Sequence, residues 1–457
     1  MPSSFFALIF GVLFSFHFAK ADVEKAPAAF TYKNGKAIFV NFLKADYRVV
    51  YDKSQTFANV ESEIEFEASE SGFPIFDLIP TPVKMSLNGQ DVSSAEVQDP
   101  DMASKFRVVD TVVEKGRHTL KITSELRHRV SVEAVGIASA FWTSDLDNRM
   151  FLEQYLPTNF EFDAYSIRLK VKINGFDDVP HVIKTNGQIE TLGQHDFLIT
   201  YPPHYTASSV YFHLFPDNTV PTVKFDYASI DGRMIPVEIY TRQPMDAFVK
   251  ETKKVLAELE ADYGPYPHDF CIVYGAGAGG MEYSGATMTS LSALGHELFH
   301  FYNARAVMPN SGNSGWIDEA LSSWRDVGYR FRAMPNNATN LAGHSQYRRT
   351  THMNSYSLGR DFMSWLAYEF NQRGKDFKAF LKEFFQKKYF TRITTEEFRA
   401  EVESYVQADF KSAFDKHVYG RGSLAPVQNS IDQEARHLQE KYHPRLSEEE
   451  LNRRLRP

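Results

Sequence analysis

The 457-residue chain holds a single cysteine, Cys271, so it can close no intrachain disulfide, and a thiolate-ligated structural zinc is excluded. Blocks of like charge are missing as well. The formal net charge of −8 is spread along the sequence, which excludes the clustered basic face that nucleic acid demands. Beyond the N-terminus there is no apolar run long enough to cross a membrane, and there is no internal repeat. What the chain has in quantity is aromatic side chain, 38 Phe and 23 Tyr within a hydrophobic content of 43%. That is ample for packed interiors and argues against disorder. The length predicts two or three folded units.

The one long apolar run, Phe5 to Ala19, is followed by Ala19-Lys20-Ala21, with small residues where a signal peptidase reads. It is shorter than the roughly 20 residues a bilayer core requires. The expectation is a signal peptide over 1–21, a mature chain from about Asp22, and no stable membrane anchor after cleavage. An exported protein without disulfides fits a bacterial periplasm.

From Asp22 to about Tyr240 short alternating segments are punctuated by Asn34-Gly35, Asn88-Gly89, Asn174-Gly175, Asn186-Gly187 and Asp231-Gly232, the dipeptides of tight hairpins. Ser166 to Ile173 alternates apolar with polar residues, as half-buried antiparallel strands do. After Pro244 the period changes to that of helices, first through Phe248, Val255, Leu256 and Leu259 up to Tyr263-Gly264-Pro265. A short strand is expected at Phe270 to Tyr274, and further helices at Leu291 to Ala306, Glu319 to Phe331, Phe362 to Phe370 and Phe377 to Tyr389. Thr394 and Glu397 form a capping box for one more, ending near Val406. The predicted class is α+β: a β-rich domain over 22–240, a mainly helical domain over 241–424, and a charged tail over 425–457.

His296-Glu297-Leu298-Phe299-His300 lies in the helical pattern, so two imidazoles one turn apart project from one face at the separation a tetrahedral zinc ion needs. Eighteen residues separate His300 from Glu319, which follows a loop that turns the chain back and supplies a third ligand. With three protein ligands one zinc ion keeps a position for water, whose pKa falls towards ~7, and Glu297 is placed to take its proton and return it to a leaving amine. Asp326, seven residues past Glu319, is placed to accept the remaining ring N–H of a ligating histidine; a solvated surface acid is the alternative. Gly275-Ala276-Gly277-Ala278-Gly279-Gly280 spells a dinucleotide loop, but no alternation of strands and helices surrounds it. The glycines read instead as close passage of a strand past a substrate backbone, with Glu282 presenting its carboxylate there. Tyr356, just before a helix, is positioned either for packing or for donating to an oxyanion.

These residues resemble the gluzincin aminopeptidases typified by aminopeptidase N. The likeness lies in Gly280-Met281-Glu282, against the family's G-x-M-E-N; in His296 to His300 with Glu319; and in Tyr356-Ser357-Leu358-Gly359, against Y-x-K-G. Glu153 to Thr158 resembles a stretch that edges the substrate in the family's first domain, and Gln154 becomes a candidate for the wall of the first side-chain pocket. The resemblance implies a saddle-like β-sheet domain followed by a thermolysin-like catalytic domain. It implies Glu282, with Gly280 and Met281, as the anchor of a peptide's free α-amine, Tyr356 as oxyanion donor, and removal of single N-terminal residues. The sequence departs at Tyr283, where the family has Asn, and at Leu358, where it has Lys. The interval from Glu319 to Tyr356 is shorter than typical, and little chain follows Gly422, which predicts a more open cleft. His300-Phe301-Tyr302-Asn303, Pro309 and Gly279-Gly280-Met281-Glu282 are similar also to glycyl aminopeptidases, whose chemistry is the same. A thermolysin-type endopeptidase and a secreted scaffold of the same fold without turnover are the rival readings. Preferred side chain and oligomeric state are left open.

Overall fold

The computed structural model describes residues 25–141, 153–335 and 337–421; the signal segment 1–21 and the tail 425–457 lie outside the described residues. Among these, the first half builds an eight-stranded, a five-stranded and a four-stranded sheet. In the largest, Asn41–Asp52 pairs antiparallel with Ala58–Ala68, which pairs in turn with Gly116–Leu126. Along Ala58–Ala68 buried and outward residues alternate almost strictly, as one solvated and one packed face require. Ser166–Asn174 forms as the alternation predicts, yet it runs parallel to Asn41–Asp52 on one side and antiparallel to Asp196–Thr200 on the other. The chain is α+β, with the helices gathered in its second half.

Three of the five turn dipeptides close hairpins, at Asn34-Gly35, Asn88-Gly89 and Asp231-Gly232. The other two do not. After Asn174-Gly175 and across Asn186-Gly187 the chain passes from one sheet to another. Asn186 uses its side-chain amide to bind the Ser209 and Ser284 carbonyls and its oxygen to accept from Tyr211 N–H. Such a dipeptide specifies a local backbone reversal and says nothing about whether the next strand pairs with the last.

Seven helices follow among the described residues: α1 (Met245–Tyr263), α2 (Leu294–Asn303), α3 (Trp316–Asp326), α4 (Leu358–Gln372), α5 (Phe377–Lys388), α6 (Thr395–Val406) and α7 (Lys411–His417). None is long and apolar enough to cross a membrane. The Thr394 and Glu397 capping box is present at the start of α6. The helices pack on a five-stranded sheet ordered Thr222–Ala228, Met234–Thr241, Cys271–Gly275, Ala286–Thr289, Gly280–Tyr283. A division at 240 therefore falls inside this sheet, because the hairpin Thr222–Thr241 has the same alternation as its predecessors and only its parallel partner, Cys271–Gly275, reveals its allegiance. The core beneath is dominated by Trp316, Trp324, Phe362, Phe380 and Phe398 among others, all at most 2% exposed.

Candidate metal centre

Gly280–Tyr283 is the sheet edge next to α2, paired antiparallel with Ala286–Thr289 so that Glu282 stands opposite Thr287. A Cβ at Gly280 would fall inside the Glu297 carboxylate, so the bare glycine is what lets edge strand and helix approach. α2 is apolar enough to bury all round, and of its polar side chains His296, Glu297 and His300 are at most 1% exposed. α3 begins at Trp316, three residues before the start expected at Glu319, and within its first turn the Asp318 carboxylate accepts from Glu319 N–H at 2.6 Å.

α2 and α3 bring the predicted trio together. Donor atoms of His296, His300 and Glu319 all lie within 4.8 Å of one another: Glu319 Oε2 is 3.2 Å from His296 Nε2 and 3.6 Å from His300 Nε2. The other ring nitrogens face α3. His296 Nδ1 is 2.7 Å from Asp326 Oδ2, and His300 Nδ1 is 3.3 Å from Ser322 Oγ. A ring that donates through Nδ1 presents the Nε2 lone pair to a cation. Asp326 is the last residue of α3 and is not a solvated surface acid. Ser322 went unnoticed in the sequence, although its place three residues past Glu319 puts it on the same helix face.

Burial pulls the His296 imidazolium towards neutrality, but Asp326 and Glu319 outweigh it and hold the ring well above the usual histidine range. A pocket that grips a proton on this ring offers the same field to a divalent ion, which would displace it. His300 Nε2 is buried with no hydrogen-bond partner, the condition of a nitrogen reserved for a metal. His300 can also be grouped with Glu282 and Glu297 within the same 4.8 Å span. The trio with Glu319 is the set better suited to hold an ion, because Glu282 Oε1 already accepts from Arg305 Nη2 at 2.8 Å and both histidines of the trio are held through Nδ1 by α3. A two-His, one-carboxylate donor set is of the kind that could hold a catalytic zinc ion.

Glu297 is wholly buried, and neither carboxylate oxygen has a hydrogen-bond partner. Desolvation, opposed by the His296 charge and reinforced by Glu282 and Glu319, raises its carboxyl well above the ordinary range. Tyr356 is also fully buried, and its hydroxyl donates to Glu319 Oε1 at 2.6 Å. Its phenol is pushed up by burial first and by Glu319 next. The structure therefore places Tyr356 at the ligand carboxylate, with its ring 6.2 Å from that of His296. Met281 packs in the apolar cluster with Tyr283, Met288 and Tyr211. Gln154 is half-buried in a bent segment whose backbone N–H groups point to the Glu153 carboxylate, and among the described residues no hydrogen bond joins its side chain to the trio. Arg305, 3% exposed and bonded also to Ser208 Oγ at 3.0 Å, is the partner that sequence inspection did not supply for Glu282.

No protein-family model and no curated protein matches the chain by sequence. Solved structures match by fold. Aminopeptidase A of Legionella pneumophila, solved with aspartic acid, aligns with a TM-score of 0.60 and 15% identity over 85% of this chain and 50% of its own, so this chain spans half the length of that protein. An M1 zinc metallopeptidase of Deinococcus radiodurans aligns with a TM-score of 0.57 and 15% identity, covering 86% of this chain and 96% of its own. Yeast LTA4 hydrolase with bestatin gives 0.58 and 11%, covering 85% and 69%. What the chain shares with these proteins is the fold, a sheet-rich half followed by a helical one.

Proposed function

We propose that the protein is a zinc-dependent aminopeptidase that hydrolyses the first peptide bond of peptides with a free N-terminus. The observation that carries this reading is the convergence of His296 Nε2, His300 Nε2 and the Glu319 carboxylate beside a buried, unbonded Glu297. The Deinococcus fold relative has been solved with a Tyr-Ser-Ala substrate and the Legionella one with aspartic acid, which supports amino-terminal residues as the ligand class.

In this reading one zinc ion, held by His296, His300 and Glu319, supplies Lewis acidity to water and to the scissile carbonyl. Glu297 accepts a proton from the attacking water and delivers it to the departing amine; its desolvated site makes it a stronger base than a carboxylate in solvent. The Tyr356 hydroxyl turns from Glu319 to the carbonyl oxygen as negative charge develops there. Asp326 and Ser322 keep the two rings in the tautomer that exposes Nε2. Glu282 receives the α-amine, with Gly280 and Met281 lining the approach, and Gln154 forms part of the first side-chain pocket. The expected habitat is the bacterial periplasm.

The ion pair between Glu282 and Arg305 favours a second reading, a thermolysin-type endopeptidase, because an anchor already neutralised by a guanidinium competes less well for an amine. Amino-acid anilides and matched free and N-acetylated peptides decide between them. The aminopeptidase hydrolyses only the free forms, loses activity with chelator, and shows a strongly raised KM on Glu282→Ala. Equal cleavage of acetylated and free peptides establishes the endopeptidase. Inactivity with zinc bound establishes a scaffold.

A further inference from the structure

Between α3 and Tyr356 the chain crosses 337–352 with no helix or strand beyond a single bridge from Asn340 to Tyr419. A segment with no ladder of its own depends on its side chains, and four of these, Ser345, Gln346, Tyr347 and Arg349, reach back to the first half of the molecule. Ser345 Oγ donates to Asp101 at 2.6 Å, Gln346 Oε1 accepts from Ala28 N–H at 2.8 Å, and Tyr347 donates to the Ala28 carbonyl at 3.0 Å. The Tyr347 ring lies in an aromatic cluster with Phe30, Phe39 and Phe106. Arg349 makes a bidentate pair with Asp77, with Nη1 at 3.0 Å from Oδ1 and Nη2 on Oδ2, and its guanidinium stacks 4.6 Å above Phe160. Asp77 is completely buried and is itself fixed to Glu153 N–H and Thr158.

The other side of the same strap presses on the turn that launches α3. The Thr350 backbone leaves no room for a Cβ at Gly312, and Thr351 Oγ1 leaves none at Gly315. Next, His352 Nδ1 accepts from Asn354 N–H at 3.1 Å to start a single 3₁₀ turn, Met353–Ser355, and Tyr356 follows it with its hydroxyl on the ligand Glu319. Seven residues after its deepest anchor in the first half, the strap delivers a phenol to the metal centre.

We infer that Arg349, held by Asp77, is a positioning residue for Tyr356, so that the first half of the molecule sets the geometry of the oxyanion donor. This rests on the proposed role of Tyr356. A fork of two parallel bonds plus a stacked ring fixes direction as well as distance, and a reacting group displaced by about 1 Å can cost on the order of 10²-fold in rate.

The test is a cycle of Arg349→Met, Tyr356→Phe and the double variant in the zinc-loaded full chain. Arg349→Met lowers kcat roughly tenfold to a hundredfold with KM within about twofold. Arg349→Lys recovers part of the loss. In the Tyr356→Phe background the Arg349 change alters kcat less than about twofold, since both act through one phenol. Should Arg349→Met fail to fold, Asp77→Asn, which keeps the shape and loosens the pair, shows the same pattern in milder form. Hydrogen exchange gives a reading independent of turnover: amides 353–358 exchange about tenfold faster in the variants while those of α1 do not change. Additive losses of kcat, or a lower melting temperature at unchanged kcat, overturn the inference. Unchanged exchange at 353–358 also overturns it, whether or not the wild type cleaves peptides; an inactive wild type with faster exchange in the variants defeats only the peptidase reading.

Discussion

Glu260 and Glu297 are both helix carboxylates with no exposure to solvent, and they are treated in opposite ways. Glu260, in the last turn of α1, sits where the helix carries partial negative charge, yet it is surrounded by donors. The Tyr227 hydroxyl and Tyr266 N–H reach it at 2.8 Å, Ile230 N–H at 3.2 Å, and the Ser229 hydroxyl also donates. The carboxylate sews the Thr222–Thr241 hairpin to the end of α1. Glu297, in the first turn of α2, has no donor on either oxygen. An unmet buried carboxylate costs several kcal/mol unless it takes a proton, and a fold that needed only packing would have leucine there. The contrast teaches where to look for chemistry: a satisfied buried charge holds elements together, and an unsatisfied one is kept for something that arrives.

Replacing each acid by its amide breaks the comparison most directly. Glu297→Gln is expected to lower kcat by roughly 10²–10⁴-fold while bound zinc, measured by metal analysis, stays stoichiometric. Its stability in chelator-treated protein also carries a sign. A carboxyl that holds its proton more tightly when folded than when unfolded loses stability as pH rises above its ordinary value, 4.5, towards its raised folded value. Metal-free wild type is therefore expected to lose melting temperature with rising pH relative to Glu297→Gln, and a flat difference between the two would show the carboxylate to be solvated. Glu260→Gln does the reverse. Of the four donors, the two that face the new amide NH2 lose their acceptor, at about 2 kcal/mol of stability, while kcat per folded molecule changes less than about twofold.

The meeting of His296, His300 and Glu319 was legible because helical spacing translates directly into a shared face, and because Glu319 follows a loop that turns the chain back. The Thr394 box and the Ser166 strand were legible for the same local reason. What was not legible is what depends on partners distant in sequence. The Thr222–Thr241 hairpin looks like one more hairpin of the first half until Cys271–Gly275 pairs with its second strand, and Arg305 is an unremarked cation until Glu282 is found against it, 23 residues back. Gln154 was singled out by likeness alone, and nothing in its own residue type or spacing could tie it to the centre. Asp326 stood between two readings from its position, and only the fold shows which of its neighbours it meets. Asp326→Asn tests that meeting: zinc affinity is expected to fall about 10–100-fold in a competitive chelator titration, and an unchanged affinity would make the contact merely structural.

The smallest expected effect probes why Glu297 can remain unsatisfied at all. Gly280 lies in extended backbone that any residue adopts, so alanine there meets no conformational penalty, only the Glu297 side chain, whose carboxylate occupies the space of the missing methyl. Overpacking of this kind costs about 1–2 kcal/mol, divided between strain and rotation of the carboxylate away from the metal face. Gly193, in a first-half strand, is the control, since an added Cβ there meets nothing closer than the Asp196 Cβ at 3.8 Å. Gly193→Ala should leave melting temperature and kcat where they are. Gly280→Ala should lower kcat about tenfold with zinc retained and KM little changed, because the base moves while the ligands do not. If Gly280→Ala instead kept full kcat, the carboxylate would have to work from a second position, and the bareness of its oxygens would reflect slack in the packing and not a place held open for substrate.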